Sequence, residues 1–169
     1  MSTLKYFSLL FIYLLVVICN KQVESLDVDR YRQEAIAQHN IYRAQCKAGD
    51  LQKNATLDQI AQNWCEQLAA TNQFNHSGTI EYGENSYKKT PFDFNNDSGA
   101  TPVITWFSEK PKYTVTDPTN ALHFTQVVWR STKFFGLGVC NAPTGGVIFV
   151  ANYYPRGNYK DQFAQNVLC

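Results

Sequence analysis

Phe7 to Cys19 is an apolar run, preceded by Lys5 and followed by small residues at Val23 and Ser25. Beyond residue 26 the rhythm of apolar positions changes. Val28, Tyr31, Ala35, His39 and Tyr42 recur at spacings of three and four, and Asp27 stands where an N-cap belongs. This pattern predicts a helix from Val28 to about Cys46. Leu57, Ile60, Ala61, Trp64 and Leu68 form a second apolar face, with Thr56 and Gln59 spaced as a capping box at its start. Thr101-Pro102 opens a third helix, since proline suits the first helical position, with Val103, Trp106 and Phe107 behind it. A fourth begins near Thr119 or Asn120 and carries His123 to Trp129. The pattern then turns to strand. Phe134 to Cys140 and Val147 to Tyr154 are β-rich and joined by the turn-rich Pro143-Thr-Gly-Gly146, and Glu81 to Lys88 reads as another strand. Residues 88–101 are polar, with two phenylalanines and a proline, and read as a surface loop. Helices first and a hairpin last predict an α+β fold with helices packed on a mainly antiparallel sheet.

Length and composition narrow this picture. A chain of 169 residues has room for one domain, and 44% hydrophobic with 17% charged residues is a globular balance. The apolar run at the N-terminus has about the 7–15 residue length of a signal-peptide core and is too short to span a bilayer. Residues 1–25 are therefore expected to be a signal peptide, and 26–169 the domain; a membrane anchor or a buried core helix is the competing reading. Removing Lys5, Lys21 and Glu24 with the leader brings the formal charge from +1 to zero. Such a surface gives no reason to expect nucleic acid, and allows only weak contact with a membrane surface.

Export also changes the meaning of the cysteines. Cys19 leaves with the leader, so Cys46, Cys65, Cys140 and Cys169 remain, an even number bound for an oxidising compartment. No CxxC pair supports a zinc cluster, so disulfides are expected. Of the three pairings, Cys46–Cys65 with Cys140–Cys169 is favoured, the second tying the C-terminus to a strand. Sequons stand at Asn54, Asn75 and Asn96. Glycans are expected on Asn54 and Asn96, and poorly on Asn75, which adjoins a candidate cleft histidine.

Several stretches together carry a family likeness. They are His39-Asn40-Ile-Tyr42-Arg43, Asn75-His76-Ser77 with Gly83-Glu84-Asn85, Trp106-Phe107-Ser108-Glu109, His123-Phe124-Thr125-Gln126-Val127-Val128-Trp129, and Ala151-Asn152-Tyr153-Tyr154-Pro155-Arg156-Gly157-Asn158. With these motifs the chain resembles the CAP superfamily of cysteine-rich secretory proteins, insect venom allergens and plant pathogenesis-related proteins, from about residue 30 to its end. The resemblance implies a three-layer α-β-α sandwich. Leu122 stands where the family usually has glycine or a charged residue, and Ala151 replaces a common cysteine. With two fewer cysteines than the plant type, the chain looks closer to the Golgi-associated branch, although that branch lacks a signal peptide. No cysteine-rich tail follows Cys169, so the channel blocking that this tail gives snake and sperm members is not expected.

The resemblance also implies that His76, Glu84, Glu109 and His123 surround one cleft. Neutral imidazoles bind Zn²⁺ well and carboxylates orient them, so zinc on His76 and His123 is the implied cofactor. Structural readings compete at each position: an imidazole bonded to a carboxylate at His123, a turn cap at His76, and an anchor for backbone amides at Glu84. Glu109 is the hardest to explain as structure, because it follows a helix C-terminus where the dipole disfavours an anion. His39 belongs to the apolar stripe and reads as a core histidine. No GxSxG motif or free cysteine marks a nucleophile. The expected function is non-enzymatic: a secreted monomer binding lipid or sterol, or an extracellular protein. Tyr87, Phe92 and Phe94 are candidates for an apolar lipid loop, or alternatively pin that loop to the core. The alternative function is a metal-dependent hydrolase or protease built on the same tetrad.

Overall fold

The computed structural model describes residues 26–169, so the leader read at 1–25 lies outside the described residues. Its elements in chain order are α1 (Val28–Gln45), β1 (Gln52–Lys53), α2 (Ala55–Thr71), β2 (Gly83–Lys89), α3 (Ala100–Phe107), α4 (Leu122–Val128), β3 (Phe134–Asn141), β4 (Val147–Tyr154) and α5 (Phe163–Asn166). Single 3₁₀ turns at Lys110–Lys112 and Thr119–Ala121 lead into α4. The strands form one sheet in the order β1-β3-β4-β2. β4 runs antiparallel to both β2 and β3, whereas the two-residue β1 lies parallel to β3, so the sheet is mixed but mainly antiparallel.

Alternation along the strands sorts side chains onto two faces. Phe135, Leu137 and Val139 of β3, with Phe149 and Tyr153 of β4, join Tyr31, Ala35, Val103, Trp106 and Phe124 in the larger core beneath α1, α3 and α4. Cys140, Ile148 and Val150 point the other way and pack on Ala61, Cys65 and Leu68 of α2. The result is the expected α-β-α sandwich. α2 approaches so closely that a Cβ on Gly138 would lie 2.3 Å from the Ala61 backbone. Where β1 ends, side chains continue the edge of β3. Leu137 donates its N–H to Asp58 Oδ1 at 2.8 Å, Arg32 Nε donates to the Leu137 carbonyl at 2.8 Å, and Gln62 bonds both backbone groups of Val139. No open ladder remains along these residues for a second chain to pair with.

Element starts differ from the pattern-based reading in ways local chemistry explains. Asp27 caps α1 as expected, accepting from Arg30 N–H at 3.0 Å. The cap of α2 is Asn54 rather than Thr56: its Oδ1 accepts from Leu57 N–H at 3.1 Å. α3 starts at Ala100, which puts Pro102 third, still within the first turn where no N–H is needed. α4 starts only at Leu122, after the 3₁₀ turn. The segment 88–101 runs over the surface as expected between the end of β2 and the start of α3, but it is anchored: Phe92, Asp97 and Gly99 are buried and Gly99 N–H donates to Glu34 of α1 at 2.8 Å.

The expected disulfide pairing is corrected. Cys46 joins Cys169, and Cys65 joins Cys140. The reason is layering: Cys46 ends α1 and belongs to the larger core, while Cys65 lies in α2 across the sheet. Cys65 and Cys140 share the second face, so that bond ties α2 to β3.

Candidate functional site

Each histidine of the tetrad is held by one carboxylate. His76, in the loop after α2, donates Nδ1–H to Glu84 Oε1 at 2.6 Å, and this bond raises its pKa above the usual imidazole value. Glu84, with 6% side-chain exposure, also accepts from Ser77 N–H. His123, in the first turn of α4, donates Nδ1–H to Glu109 Oε1 at 2.7 Å, its ring lying roughly parallel to Trp106. The other oxygen, Oε2, accepts the backbone N–H groups of His123 and Phe124 at 3.1 and 3.3 Å. Glu109 therefore has a structural role after all. It follows the C-terminus of α3, but it caps the N-terminus of α4, where an anion is favoured.

The Gly83-Glu84-Asn85 stretch serves both halves of the tetrad. Adjacent strand residues point to opposite faces. Glu84 turns to His76, while Asn85 is buried and donates to the His123 carbonyl at 3.1 Å. Among the described residues, no group of three or more His, Cys, Asp or Glu is placed to hold one metal ion.

An open cavity of about 230 Å³ lies beside the first pair, lined by residues of the 76–84 stretch, His76 and Glu84 among them, and by Gln126, Arg156 and Asn158. Part of its lining is held by bonds between α4 and the Pro155–Asn158 turn. Gly157 N–H donates to Gln126 Oε1 at 2.8 Å, Thr125 hydroxyl donates to Asn158 Oδ1 at 2.6 Å, and Asn158 Nδ2 donates to the Leu122 carbonyl at 2.9 Å. The two longest motifs of the sequence thus lock onto each other. A second cavity, of about 450 Å³, lies beyond Asn158, with Val115, Pro118, Leu122 and Phe163 giving it an apolar lining and Lys160 and Asp161 polar contacts.

The other candidate residues are more dispersed. Phe92 is buried and packs edge-on against Tyr31 and Phe94, while Tyr87 and Phe94 are half-buried against the same core. These aromatics pin their loop. His39 is the core histidine expected. Asn54 caps α2 through its oxygen, Asn96 donates to Asp93, and exposed Asn75 donates to the adjacent His76 carbonyl. Sequence reasoning quoted Arg43 in a motif but missed its role. It is fully buried and donates to the carbonyls of Gly49, Val127, Trp129 and Thr132, bolting α1 to the end of α4. Its position four residues after His39 on the apolar stripe is the signal that could have found it.

A three-layer sandwich with two carboxylate-held histidines and interlocked signature turns defines a domain of the cysteine-rich secretory class. The model of the CAP family, described as the cysteine-rich secretory protein family, matches residues 36–153, and the chain belongs to that family. The human Golgi-associated plant pathogenesis-related protein 1 is 32% identical over 151 residues, covering 82% of this chain and 93% of the relative. Pathogenesis-related protein 1 of Arabidopsis thaliana is 33% identical over 152 residues, covering 88% of this chain and 91% of the relative. The crystal structure of NaASP2 with Zn²⁺ shares the fold with a TM-score of 0.61 at 21% identity, covering 77% of this chain and 82% of that one.

Proposed function

We propose that this chain is a secreted, non-enzymatic binding protein that takes Zn²⁺ on His76 and His123 and receives a lipid or sterol in the adjoining apolar cavity. One observation carries the metal part: both imidazoles give Nδ1 to a carboxylate, and among the described residues neither Nε2 has a partner. A carboxylate on Nδ1 fixes the tautomer that leaves Nε2 as a ligand and raises its basicity. The donor chemistry fits zinc, with His76 and His123 as its protein ligands and Glu84 and Glu109 as the groups that orient them. Bound zinc would supply a Lewis-acid anchor for a polar group. The side chains are 61% and 38% exposed, so both imidazoles are open to solvent. Zinc in the NaASP2 structure supports the reading. Export is supported by the N-terminal pattern and by two disulfides.

The lipid part rests on the second cavity, whose volume and apolar lining suit a small ligand. The aromatic loop is the poorer seat, because Phe92 is committed to the core. Calorimetric titration of zinc into metal-stripped mature protein tests the metal site. Saturable binding is expected in wild type and its loss in both His76→Ala and His123→Ala; a wild type that takes no zinc overturns it. Mass spectrometry of the secreted protein is expected to find co-purified lipid. Lipid-free material that captures an extracellular protein would give the cavity a different partner, and chelator-sensitive turnover of a peptide or ester would replace binding with metal-dependent hydrolysis.

A further inference from the structure

The cavity beside His76 offers more hydrogen-bond donors than its own acceptors use. Arg156, in the turn after β4, lines the cavity and donates Nη1–H to the Ile80 carbonyl at 3.1 Å. Its guanidinium lies 4.9 Å from the centre of the Tyr159 ring. These contacts hold the guanidinium in place while leaving the rest of its five N–H donors without a protein acceptor among the described residues. In the same lining, Ser77 Oγ accepts from Thr79 N–H and Thr79 Oγ1 accepts from Glu81 N–H, so both hydroxyl hydrogens remain available to a ligand. Gly78, between them at φ +77°, also lines the cavity and carries a backbone N–H. The one carboxylate lining the cavity, Glu84, is nearly buried and already accepts from His76, Ser77 and Ser86. A held cationic fork sharing one cavity with two hydroxyls and a glycine amide suits an oxyanion. At about 230 Å³, the space fits a compact group rather than an acyl chain.

We propose that this cavity binds the phosphate group of a small ester, gripped by Arg156 and by the Ser77–Thr79 loop. A tetrahedral phosphate has more acceptor oxygens than a carboxylate and so matches the number of donors better. The site does not depend on zinc, and the test is run with chelator present, so failure of the metal reading leaves it intact.

The test is an NMR titration of the mature protein with inorganic phosphate. Saturable shifts are expected at the Ser77, Gly78 and Thr79 amides and at Arg156 Nε–H. Arg156→Gln is expected to abolish them. Arg156→Lys keeps the charge but not the fork, and is expected to bind about tenfold more weakly with the remaining spectrum unchanged. Absence of saturable shifts in wild type, equal shifts in Arg156→Gln, or equal affinity for acetate would each overturn the proposal. Sedimentation with phosphatidic-acid vesicles, displaced by free phosphate, would place the group on a lipid; phosphate binding without sedimentation would place it on a soluble ester.

Discussion

His39 donates Nδ1–H to the Ala35 carbonyl at 2.8 Å and accepts at Nε2 from the Tyr153 hydroxyl at 2.9 Å, with no exposure to solvent. Burial pushes its pKa from the ordinary 6.5 down to about 3, and the nearby Arg43 charge adds to the shift. The unfolded chain titrates near the ordinary value, so between the two it binds a proton that the native state refuses. The stability due to neutral His39 is complete above about pH 6.5 and is lost as pH falls toward 3, at up to about 1.4 kcal/mol per pH unit. Urea unfolding of wild type and His39→Gln across acidic pH checks this. The variant is expected to be less stable near neutrality and to lose part of the acid slope; an unchanged slope would assign the titration elsewhere. The stripe made His39 legible as core. Arg43 on the same stripe was not legible, because the carbonyls of Val127, Trp129 and Thr132 that solvate it lie 84 to 89 residues away. Burial lowers its pKa to about 10, still a cation at neutral pH. Glu109 was misjudged for the same reason: the chain order shows the helix it follows, not the one that returns to it.

Among the elements, the long helices were legible because each buries one face, so that its period survives in the sequence. β1 was not, since two residues have no period, and its parallel pairing with β3 depends on residues 134 and 135 arriving from far along the chain. Boundaries moved where a side chain competed for the cap, as Asn54 does ahead of Thr56. The least visible feature was the use of Gly136 and Gly138, which in β3 read only as weak strand formers. They let the backbone of α2 lie directly on the sheet. Gly138→Ala would place a methyl group against the Ala61 carbonyl, where a helix backbone cannot yield as a flexible side chain could. It is expected to destabilise the protein by at least about 2 kcal/mol, measured by urea unfolding. Gly49→Ala, where a Cβ meets nothing within 4 Å, is the control and is expected to change stability little. A Gly138→Ala protein as stable as that control would mean that α2 can move off the strand at no cost.

For the whole molecule, each disulfide fastens a part that other contacts already hold. The Cys46–Cys169 bond brings the C-terminus to the end of α1, yet α5 is independently docked: Phe163 and Val167 are buried, Asn166 accepts from the amide and hydroxyl of Ser131, and its carbonyl accepts from Arg130 N–H. The Cys65–Cys140 bond ties α2 to β3, where Asp58 and Gln62 already bond the strand edge. If the native contacts suffice, the bonds act mainly by shrinking the unfolded ensemble, and they close large loops, with sequence separations of 123 and 75 residues. The double variants Cys46→Ala/Cys169→Ala and Cys65→Ala/Cys140→Ala are each expected to lose about 2–5 kcal/mol of global stability. Local hydrogen exchange of the native state, measured at α5 and α2, is expected to stay protected relative to loops in both. Rapid exchange confined to α5 in the first variant would show instead that the bond clamps the folded C-terminus. The same preparations, digested without reduction, are expected to yield peptides joined as Cys46–Cys169 and Cys65–Cys140. A Cys46–Cys65 peptide would contradict the layering itself, since it requires the end of α1 and the middle of α2 to meet through a sheet that separates them.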